Sequence, residues 1–459
     1  MRGIKLRGGR RTVAAAAAAM LVSGAALTGS GQAHAASQPT GFAGLRAGHA
    51  TAAGDISTIA GGVGGPAPAT AMDLQDEICG VTYAAFSGDG GPATLAQAGA
   101  TAVAVDAAGN ALIAGADFNR IEVAARTTGT FYGRAMTAGD IYTLGGNGIG
   151  GFAGNGSPAT SAELAGPQAV TADAAGNLVI ADTRNQRIRV VAESSGTFYG
   201  KPMTAGDIYT VAGNGTGGFA GDGGPATSAK LSFPSGVAVD HAGNLLIADS
   251  LNSRIRVVAA STGTFYGQPM TAGDIYTVAG SNGSTLGDGG PATSAFLNLP
   301  NTVAVDAAGN LVIADTDDSR IRLVAASTGT LYGQAMTAGD IYTVADNGHH
   351  GYSGKVGPAT ETGLNFPGGI SIDNAGNLVI ADSFNQRIRV VAERAGTFYG
   401  KPMIVGDIYL VAGNGTAGFA GDGRLATAAE LNQPQSAVAD SAGNLLIADN
   451  GRIREVLAG

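Results

Sequence analysis

The chain has 459 residues, of which 44% are hydrophobic and 13% charged, with a formal net charge of −9. The apolar fraction is enough for a packed core and argues against a disordered chain, although 76 residues are Gly. The negative charge argues against a polyanion-binding surface, so we expect no nucleic-acid partner.

The first residues have the layout of an export signal. A basic start precedes an apolar run from Val13 to Leu27, and Ala33-His34-Ala35 follows. This order predicts a cleavable signal peptide over residues 1–35, exported by the general secretory or the twin-arginine route. We therefore expect a secreted, extracellular protein.

The only cysteine is Cys79, so the chain cannot form an internal disulfide. The signal region contains no cysteine that could accept a lipid, and the last residues contain no apolar segment long enough to cross a membrane. We expect a monomer without a membrane anchor.

Residues 36–53 are small and aperiodic, which predicts a flexible leader. From residue 54 to residue 459 the chain repeats itself about every 67 residues, so we expect a single domain. An Asp that ends a short apolar run marks each copy: Asp106, Asp173, Asp240, Asp306, Asp373 and Asp440. The first copy carries extra residues at about 62–87, which predict a surface insertion.

One copy contains four predicted strands. In the third copy they are Ser235–Asp240, Asn244–Asp249, Arg254–Ala259 and Asp274–Ala279. The first run is apolar at successive positions and predicts an inner strand, whereas the third alternates charged and apolar residues and predicts a strand further out that is exposed on one face. Six such units predict an all-β, six-bladed propeller of four-stranded antiparallel blades.

The two ends of the repeat region are complementary. Asp55–Ala60 resembles the fourth strand of a copy but precedes any first strand, and the last copy, from Ser436 to Leu457, has no fourth strand. We expect the N-terminal strand to complete the C-terminal blade and close the ring. An open superhelix is the alternative.

The runs GNLVIADTRNQRIRVV, AGNGTGGFAGDGGPATSA and VAVD resemble NHL-repeat β-propellers of a secreted bacterial type. The resemblance covers residues 54–459 and implies the six-bladed fold, but no single activity. Members include extracellular sensor domains of bacterial receptor-type kinases, RNA-binding proteins and scaffolds. Related six-bladed propellers include metal-dependent lactonases and lyases.

An Asp and an Arg flank the connection between the second and third strands. These pairs are Asp182/Arg187, Asp249/Arg254, Asp315/Arg320, Asp382/Arg387 and Asp449/Arg452. Because both signs recur together, we expect local salt bridges that set strand register; a charged ring on one face is the alternative. Copy one departs from the pattern, with Gly115 and Phe118 in place of Asp and Asn while Arg120 is kept.

Two further motifs recur. The motif GDGGPAT places a Gly-flanked Asp at 89, 222, 288 and 422, which suggests either a turn or a calcium ligand. We expect turns and no bound cofactor. The motif FYG, with tyrosines at 132, 199, 266, 332 and 399, is expected to fold back onto its own hairpin; an exposed glycan- or protein-binding rim is the alternative.

His349, His350 and Tyr352 stand in a connection whose other copies carry no histidine, which makes them candidate ligand-binding residues. No phosphate loop, nucleophile elbow or zinc spacing is present in the sequence, and we assign no catalytic or metal-binding residue. The chain is expected to be a binding or scaffold module for an extracellular protein, cell-wall component or glycan. A metal-dependent lactonase- or lyase-like enzyme is the alternative.

Overall fold

The computed structural model describes residues 52–61, 88–354 and 356–458. These residues form six five-stranded antiparallel sheets, which are the blades of an all-β, six-bladed propeller. The expected signal peptide, nearly all of the expected leader and the insertion that contains Cys79 lie outside the described residues.

Blades 1 to 6 are numbered by their inner strands. The inner strands are Ala100–Val105, Ala169–Ala172, Pro234–Val239, Pro300–Val305, Gly369–Ile372 and Pro434–Ala439. Each contacts the inner strands of both neighbouring blades, and that of blade 6 contacts that of blade 1. The inner strands therefore follow one another around a common axis.

The second strand of each blade is a continuous apolar run that is buried at every position. The second strands are Ala111–Gly115, Leu178–Asp182, Leu245–Asp249, Leu311–Asp315, Leu378–Asp382 and Leu445–Asp449. The third strands are Arg120–Ala124, Arg187–Val191, Arg254–Val258, Arg320–Val324, Arg387–Val391 and Arg452–Val456. The expectation that charge alternation exposes one side of the third strand is wrong, because the second arginine of the run is buried in every blade that has it.

The outer strands are Asp140–Gly145, Asp207–Ala212, Asp274–Ala279, Asp340–Ala345, Asp407–Ala412 and, for blade 6, Asp55–Ala60. The last of these pairs antiparallel with the third strand of blade 6, with Ile56 opposite Val456 and Thr58 opposite Arg454. Residues from the two ends of the repeat region therefore share one sheet.

The prediction of four strands per blade is wrong by one short edge strand. The edge strands are Gly91–Pro92, Ser157–Pro158, Gly224–Pro225, Gly290–Pro291, Gly357–Pro358 and Arg424–Leu425. Each pairs with the first residues of an outer strand, and Pro is tolerated there because the free side of an edge strand needs no N–H donor. The sequence shows only turn-forming residues at this position, which conceals a two-residue strand.

Short elements complete the blades. Turns of 3-10 helix follow the edge strands at Ala93–Leu95, Ala159–Ser161, Ala226–Ser228, Ala292–Ser294, Ala359–Glu361 and Ala426–Ala428. Others follow second strands at Ala116–Phe118, Thr183–Asn185, Ser250–Asn252 and Ser383–Asn385. Two-stranded hairpins between third and outer strands join Gly129–Phe131 to Arg134–Met136, Gly196–Phe198 to Lys201–Met203, Gly263–Phe265 to Gln268–Met270, Gly329–Leu331 to Gln334–Met336 and Gly396–Phe398 to Lys401–Met403.

The hydrophobic core lies between adjacent blades. One cluster, for example, packs Val179 and Ile188 of blade 2 against Leu245 and Ile247 of blade 3. Each blade therefore needs both neighbours to bury its two faces. The propeller has two ends: the connecting face carries the second-to-third turns and the connections from each outer strand to the next blade, and the hairpin face carries the two-stranded hairpins.

Candidate functional site

The Asp that ends the second strand does not make the ion pair expected from the sequence. Asp182 lies opposite Arg187 in the strand register, but its carboxylate is paired with Arg189, at 3.6 Å. The same shift of two residues holds in blades 3 to 6, where the pairs are Asp249–Arg256, Asp315–Arg322, Asp382–Arg389 and Asp449–Arg454. These carboxylates are fully buried, so they do not form a charged ring at the surface.

Burial dominates the electrostatics of these carboxyls. Removal from water raises the pKa of Asp182 to about 6, although hydrogen bonds from Ala165 and Asn185 and the charge of Arg189 favour the ionised form. The pKa of Asp315 is raised to about 7 for the same reason. The Asp of each buried pair therefore takes up a proton at a higher pH than an exposed Asp does.

The buried pair joins the blade to the chain that precedes it. Asp182 accepts the N–H of Ala165 at 2.8 Å, and Arg189 donates to the carbonyl of Glu163 at 2.7 Å. Both partners belong to the connection between the edge strand and the inner strand of the blade. The pair therefore fastens the incoming chain to the blade, and it does so through Arg189 rather than the predicted Arg187.

In blades 2, 3, 5 and 6 the first arginine of the third strand lies on the connecting face and covers an aromatic ring. The guanidinium carbon of Arg187 is 3.7 Å from the ring centre of Phe152, and that of Arg254 is 4.0 Å from Phe219. Arg387 covers Tyr352 and Arg452 covers Phe419 in the same way. Cation–π attraction fixes one side of each ring.

A glycine makes room for two of these arginines, Arg187 and Arg387. Gly215 has a φ of +88°, and a Cβ there would clash with the guanidinium of Arg187. The same guanidinium donates to the carbonyl of Asn214 at 2.9 Å. The Gly-Asn-Gly sequence therefore leaves space for Arg187, and this arginine holds the second-to-third connection against the connection that follows the outer strand.

Large apolar side chains remain exposed on the connecting face. Phe152 is 40% exposed, Phe219 42% and Tyr352 37%, and Ile149 and Leu251 are exposed beside them. Single exposed apolar residues are ordinary, but these three rings recur at equivalent places beside the arginines of blades 2, 3 and 5. This repeated set is the main candidate for a binding surface.

The tyrosines of the FYG motif are turned inward on the hairpin face, and in four blades the hydroxyl bonds the Asp that follows the inner strand rather than the hairpin itself. Tyr199 donates from its hydroxyl to Asp173 at 2.9 Å, and Tyr132 and Tyr266 make the equivalent bond to Asp106 and Asp240. Burial, followed by the adjacent carboxylate, raises the pKa of each of these phenols. In blade 5 Tyr399 bonds Asp373 likewise, whereas Tyr332 of blade 4 donates to the carbonyl of Gly376 in blade 5.

The three candidate residues of the sequence analysis lie on the connecting face near blades 4 and 5. The Nδ1 of His350 is 2.6 Å from the hydroxyl of Ser319, and its ring stacks on Phe366 with centres 5.4 Å apart. His349 is exposed, and its ring makes no hydrogen bond to a second titratable side chain among the described residues. Tyr352 occupies the place that Phe152 and Phe219 have in their own connections. The two histidines therefore lie on the connecting face without forming a shared site.

Blade 4 interrupts the arginine–aromatic pattern and opens a cleft of about 290 Å³. Among the described residues no aromatic ring lies over Arg320, and Leu286, Asp288 and Asp346 line the cleft beside it, the two carboxylates supplying its charge. Asp346 has a φ of +92° where other copies have Gly. A Cβ at the equivalent Gly213 would clash with the carbonyl oxygen of Gln186 in the second-to-third connection, and in blade 4 that connection has no 3-10 turn. The sequence signal for this cleft was the change from Gly-Asn-Gly to Asp-Asn-Gly.

The GDG aspartates divide into two groups. In blades 3, 4 and 6 they bind a buried arginine: Asp222 with Arg256 at 2.6 Å, Asp288 with Arg322 at 2.8 Å and Asp422 with Arg454 at 2.7 Å. In blade 1 the buried arginine is replaced by Glu122 and its Asp partner by Gly115. Burial raises the pKa of Glu122 well above its ordinary value; Arg120 opposes this and Asp89 adds to it.

The inner strands, which lie around the propeller axis, have few side chains suited to acid–base or metal chemistry. None of the six inner strands contains a charged residue, His or Cys. Within residues 52–61, 88–354 and 356–458, no group of three or more His, Cys, Asp and Glu side chains is arranged to hold a metal ion. Across the same part of the chain, no helix has the length and apolar character needed to cross a bilayer.

Comparison with known proteins agrees with the architecture. The NHL repeat family matches residues 231–258, and the teneurin NHL domain family matches residues 272–392. Human teneurin-1 is 26% identical over 258 residues, a match that covers 51% of this chain and 8% of teneurin-1. The chain thus corresponds to a small part of that protein.

Two solved structures share the fold at low identity. One is an auxiliary nutrient binding protein from Bacteroides thetaiotaomicron, with 14% identity, a TM-score of 0.52 and coverage of 87% of this chain and 75% of that chain. The other is an auxiliary nutrient binding protein from Bacteroides ovatus, with 13% identity, a TM-score of 0.53 and coverage of 87% and 76%. At this identity the likeness is one of fold.

Proposed function

We propose that this chain, whose NHL repeats form a six-bladed propeller, is an extracellular binding module that holds a polypeptide partner on its connecting face. The observation that carries the proposal is the repeated exposure of Phe152, Phe219 and Tyr352 on that face. The tyrosines of the hairpin face instead point inward and donate hydrogen bonds within the propeller, so the two ends differ in what they present.

The composition of the connecting face suits a protein partner. Arginine and aromatic residues are enriched among the side chains that dominate protein–protein affinity. Here each exposed ring is held rigid by a guanidinium, as in Arg254 over Phe219, so little conformational entropy is lost on binding. The face is less suited to binding a glycan, since the chain has no Trp and an arginine already covers one side of each ring.

Two proteins of this fold are described as auxiliary nutrient binding proteins, so the architecture serves binding elsewhere. The extracellular location rests on the expected signal peptide. A lactonase- or lyase-like activity is less well supported, because such a site needs convergent ionisable residues and the six inner strands contain none.

A photo-crosslinking residue placed at Phe219 would identify the partner, and the same residue at Ile404, 62% exposed on the hairpin face, is the matched control. The purified mature chain is incubated with culture fluid and cell surfaces of the producing strain. We expect a protease-sensitive adduct from Phe219 and none from Ile404.

Affinity for the captured partner then tests the face directly. Phe219→Ala and Phe152→Ala should each weaken binding by about tenfold or more, since central anchors contribute more than 1 kcal/mol. Ile404→Ala should bind as the parent does. Equal adducts at both positions, an adduct removed by glycosidase but not by protease, or full affinity in both Phe variants would contradict the proposal.

A further inference from the structure

The GDG loop of blade 1 differs from its counterparts in what faces its aspartate. In blade 3, Asp222 accepts from Arg256 through two nitrogens, at 2.6 and 3.1 Å, and from the hydroxyl of Thr277 at 2.6 Å. Arg256 and Thr277 are opposite each other on the third and outer strands. An aspartate, a guanidinium and a threonine therefore meet at one place in the blade.

Blade 1 keeps this place but reverses one charge. Glu122 is opposite Thr143, as Arg256 is opposite Thr277, so both side chains lie on the same side of the sheet. Asp89 is held there by the N–H of Thr143 at 2.5 Å. Two carboxylates thus stand where blade 3 has a carboxylate and a guanidinium.

Neither carboxylate oxygen of Glu122 has a hydrogen-bond partner within the described residues, and the side chain is 0% exposed. Asp89 binds Arg134 through one oxygen at 3.0 Å, and Arg120 donates to the carbonyl of Asn147. The sequence from 62 to 87 contains no Lys, Arg or His that could supply a cation. A buried carboxylate without a partner is costly unless a positive charge balances it.

A neutral oxygen is also placed for a cation. In each of blades 2 to 6 the buried arginine donates to the carbonyl of the residue after the cap of the 3-10 turn, as Arg189 does to Glu163 and Arg256 to Lys230. The equivalent residue of blade 1 is Gln97, because its turn is capped by Ala96. Glu122 as a carboxylate cannot donate to this carbonyl, and the side-chain oxygen of Gln97 has no partner within the described residues.

We propose that blade 1 binds a calcium ion between Glu122 and Asp89, in the volume that an arginine fills in the other blades. The two carboxylates, with the carbonyl of Gln97 and the hydroxyl of Thr143, form a set of hard oxygen ligands that Ca²⁺ prefers, and water completes the shell. Asp89 is on the surface, so the ion reaches the site from solvent. The inference is independent of the proposed binding face.

Equilibrium dialysis of the mature protein against Ca²⁺ alone, after treatment with a chelator, measures the stoichiometry, and thermal melts measure the effect on stability. We expect one Ca²⁺ per chain and a higher Tm with Ca²⁺ than with chelator. Glu122→Gln should lose both effects. Asp288→Asn, in the matching loop of blade 4, should retain both because that loop binds Arg322.

The repeat offers a gain-of-structure control. The double variant Gly115→Asp with Glu122→Arg restores the pair found in blades 2 to 6, and it should melt at the same temperature with and without Ca²⁺. If the parent takes up no Ca²⁺, or if Glu122→Gln keeps one ion per chain, the site does not exist. A Tm that rises on acidification in the parent but not in Glu122→Gln, without Ca²⁺ uptake, would show that Glu122 is held as a neutral acid instead.

Discussion

Asp182 and Arg189 form an ion pair with 3.6 Å between nitrogen and oxygen, and both side chains are 0% exposed. The pair is repeated in blades 2 to 6, so it is a general device of this propeller. It takes the place of the Asp182–Arg187 pair that the sequence suggested. It holds the chain that enters each blade.

Removing one member of the pair should be far more harmful than changing a surface charge. Arg189→Met leaves the buried carboxylate of Asp182 without its counterion. It also leaves the carbonyls of Glu163 and Ala153 without their donor, and together these losses cost about 3–5 kcal/mol of the free energy of unfolding. Arg394→Met, at an exposed position, should change it by about 0.5 kcal/mol or less. Denaturant unfolding of both variants measures the difference, and equal effects would contradict the assigned role.

The buried aspartates predict how stability responds to pH. The pKa of Asp249 is raised by burial to about 6 in the folded protein, above its ordinary value of 3.8, so the native state binds the proton more tightly than the unfolded state. Its contribution to stability is therefore complete below pH 3.8 and is lost as the pH rises through 6.

We expect the Tm to increase when the pH is lowered from 7 to 5, and to increase less in Asp249→Asn, which cannot take up the proton. Melts in buffers of constant ionic strength separate this effect from screening. A slope that is the same in parent and variant would mean that Asp249 stays ionised throughout.

The tyrosines of the hairpin face predict alkaline instability. Burial and Asp173 raise the pKa of Tyr199 above its ordinary value of 10, so the folded state holds the proton that the unfolded state releases. The stability that depends on this phenol is present below pH 10 and is lost as the pH rises further. Absorbance near 295 nm should show these phenols ionising together with unfolding, while exposed tyrosines titrate earlier.

Tyr199→Phe isolates one of these bonds. It removes the donor to Asp173 at 2.9 Å and should lower the free energy of unfolding by about 1–2 kcal/mol, because a bond to a charged acceptor is lost. One fewer phenol should then appear in the late ionisation. Complete titration of all tyrosines before unfolding would show that the hairpin face is open to solvent.

Much of this architecture could be predicted because the repeat is written in local signals. The apolar run that ends in Asp249 and the charge alternation that begins at Arg254 locate two strands without tertiary information. The edge strand at Gly224–Pro225 could not be predicted, since two residues with turn composition carry no periodicity. The partner of Asp182 depends on which arginine the sheet buries, and alternation alone favours neither.

The candidate site was predicted less well than the fold. Tyr352 was selected for its nearness to His349 and His350, and it lies on the connecting face for a different reason, as the counterpart of Phe219. The repeat aligns Tyr352 with Phe219, but the arginine that covers each ring is seen only in the structure. Glu122 gave a sequence signal, because it replaces one arginine of a repeated RIR run. That signal points to a site only once Glu122 is known to be buried.

The strand Asp55–Ala60 provides the last prediction. Ile56 and Ile59 are 0% exposed, and the strand lies between Arg452–Val456 and the edge strand Arg424–Leu425. Deleting residues 54–61 should expose sheet edges and the apolar sides of two neighbouring blades, with a large loss of Tm or aggregation.

A permuted chain separates loss of the strand from loss of its covalent position. The N–H of Gly54 donates to the carbonyl of Leu457 at 3.0 Å, so a short Asn-Gly turn can join the C-terminus to residue 54 as in a hairpin. A chain that begins at Gly88 and ends with residues 54–61 after this turn should regain the Tm that the deletion loses, because the same strand returns to the same sheet. If the deletion melts like the parent, the strand does not hold the ring together; if the deletion is unstable and the permuted chain is no better, the strand acts through the segment that follows it rather than through its place in blade 6.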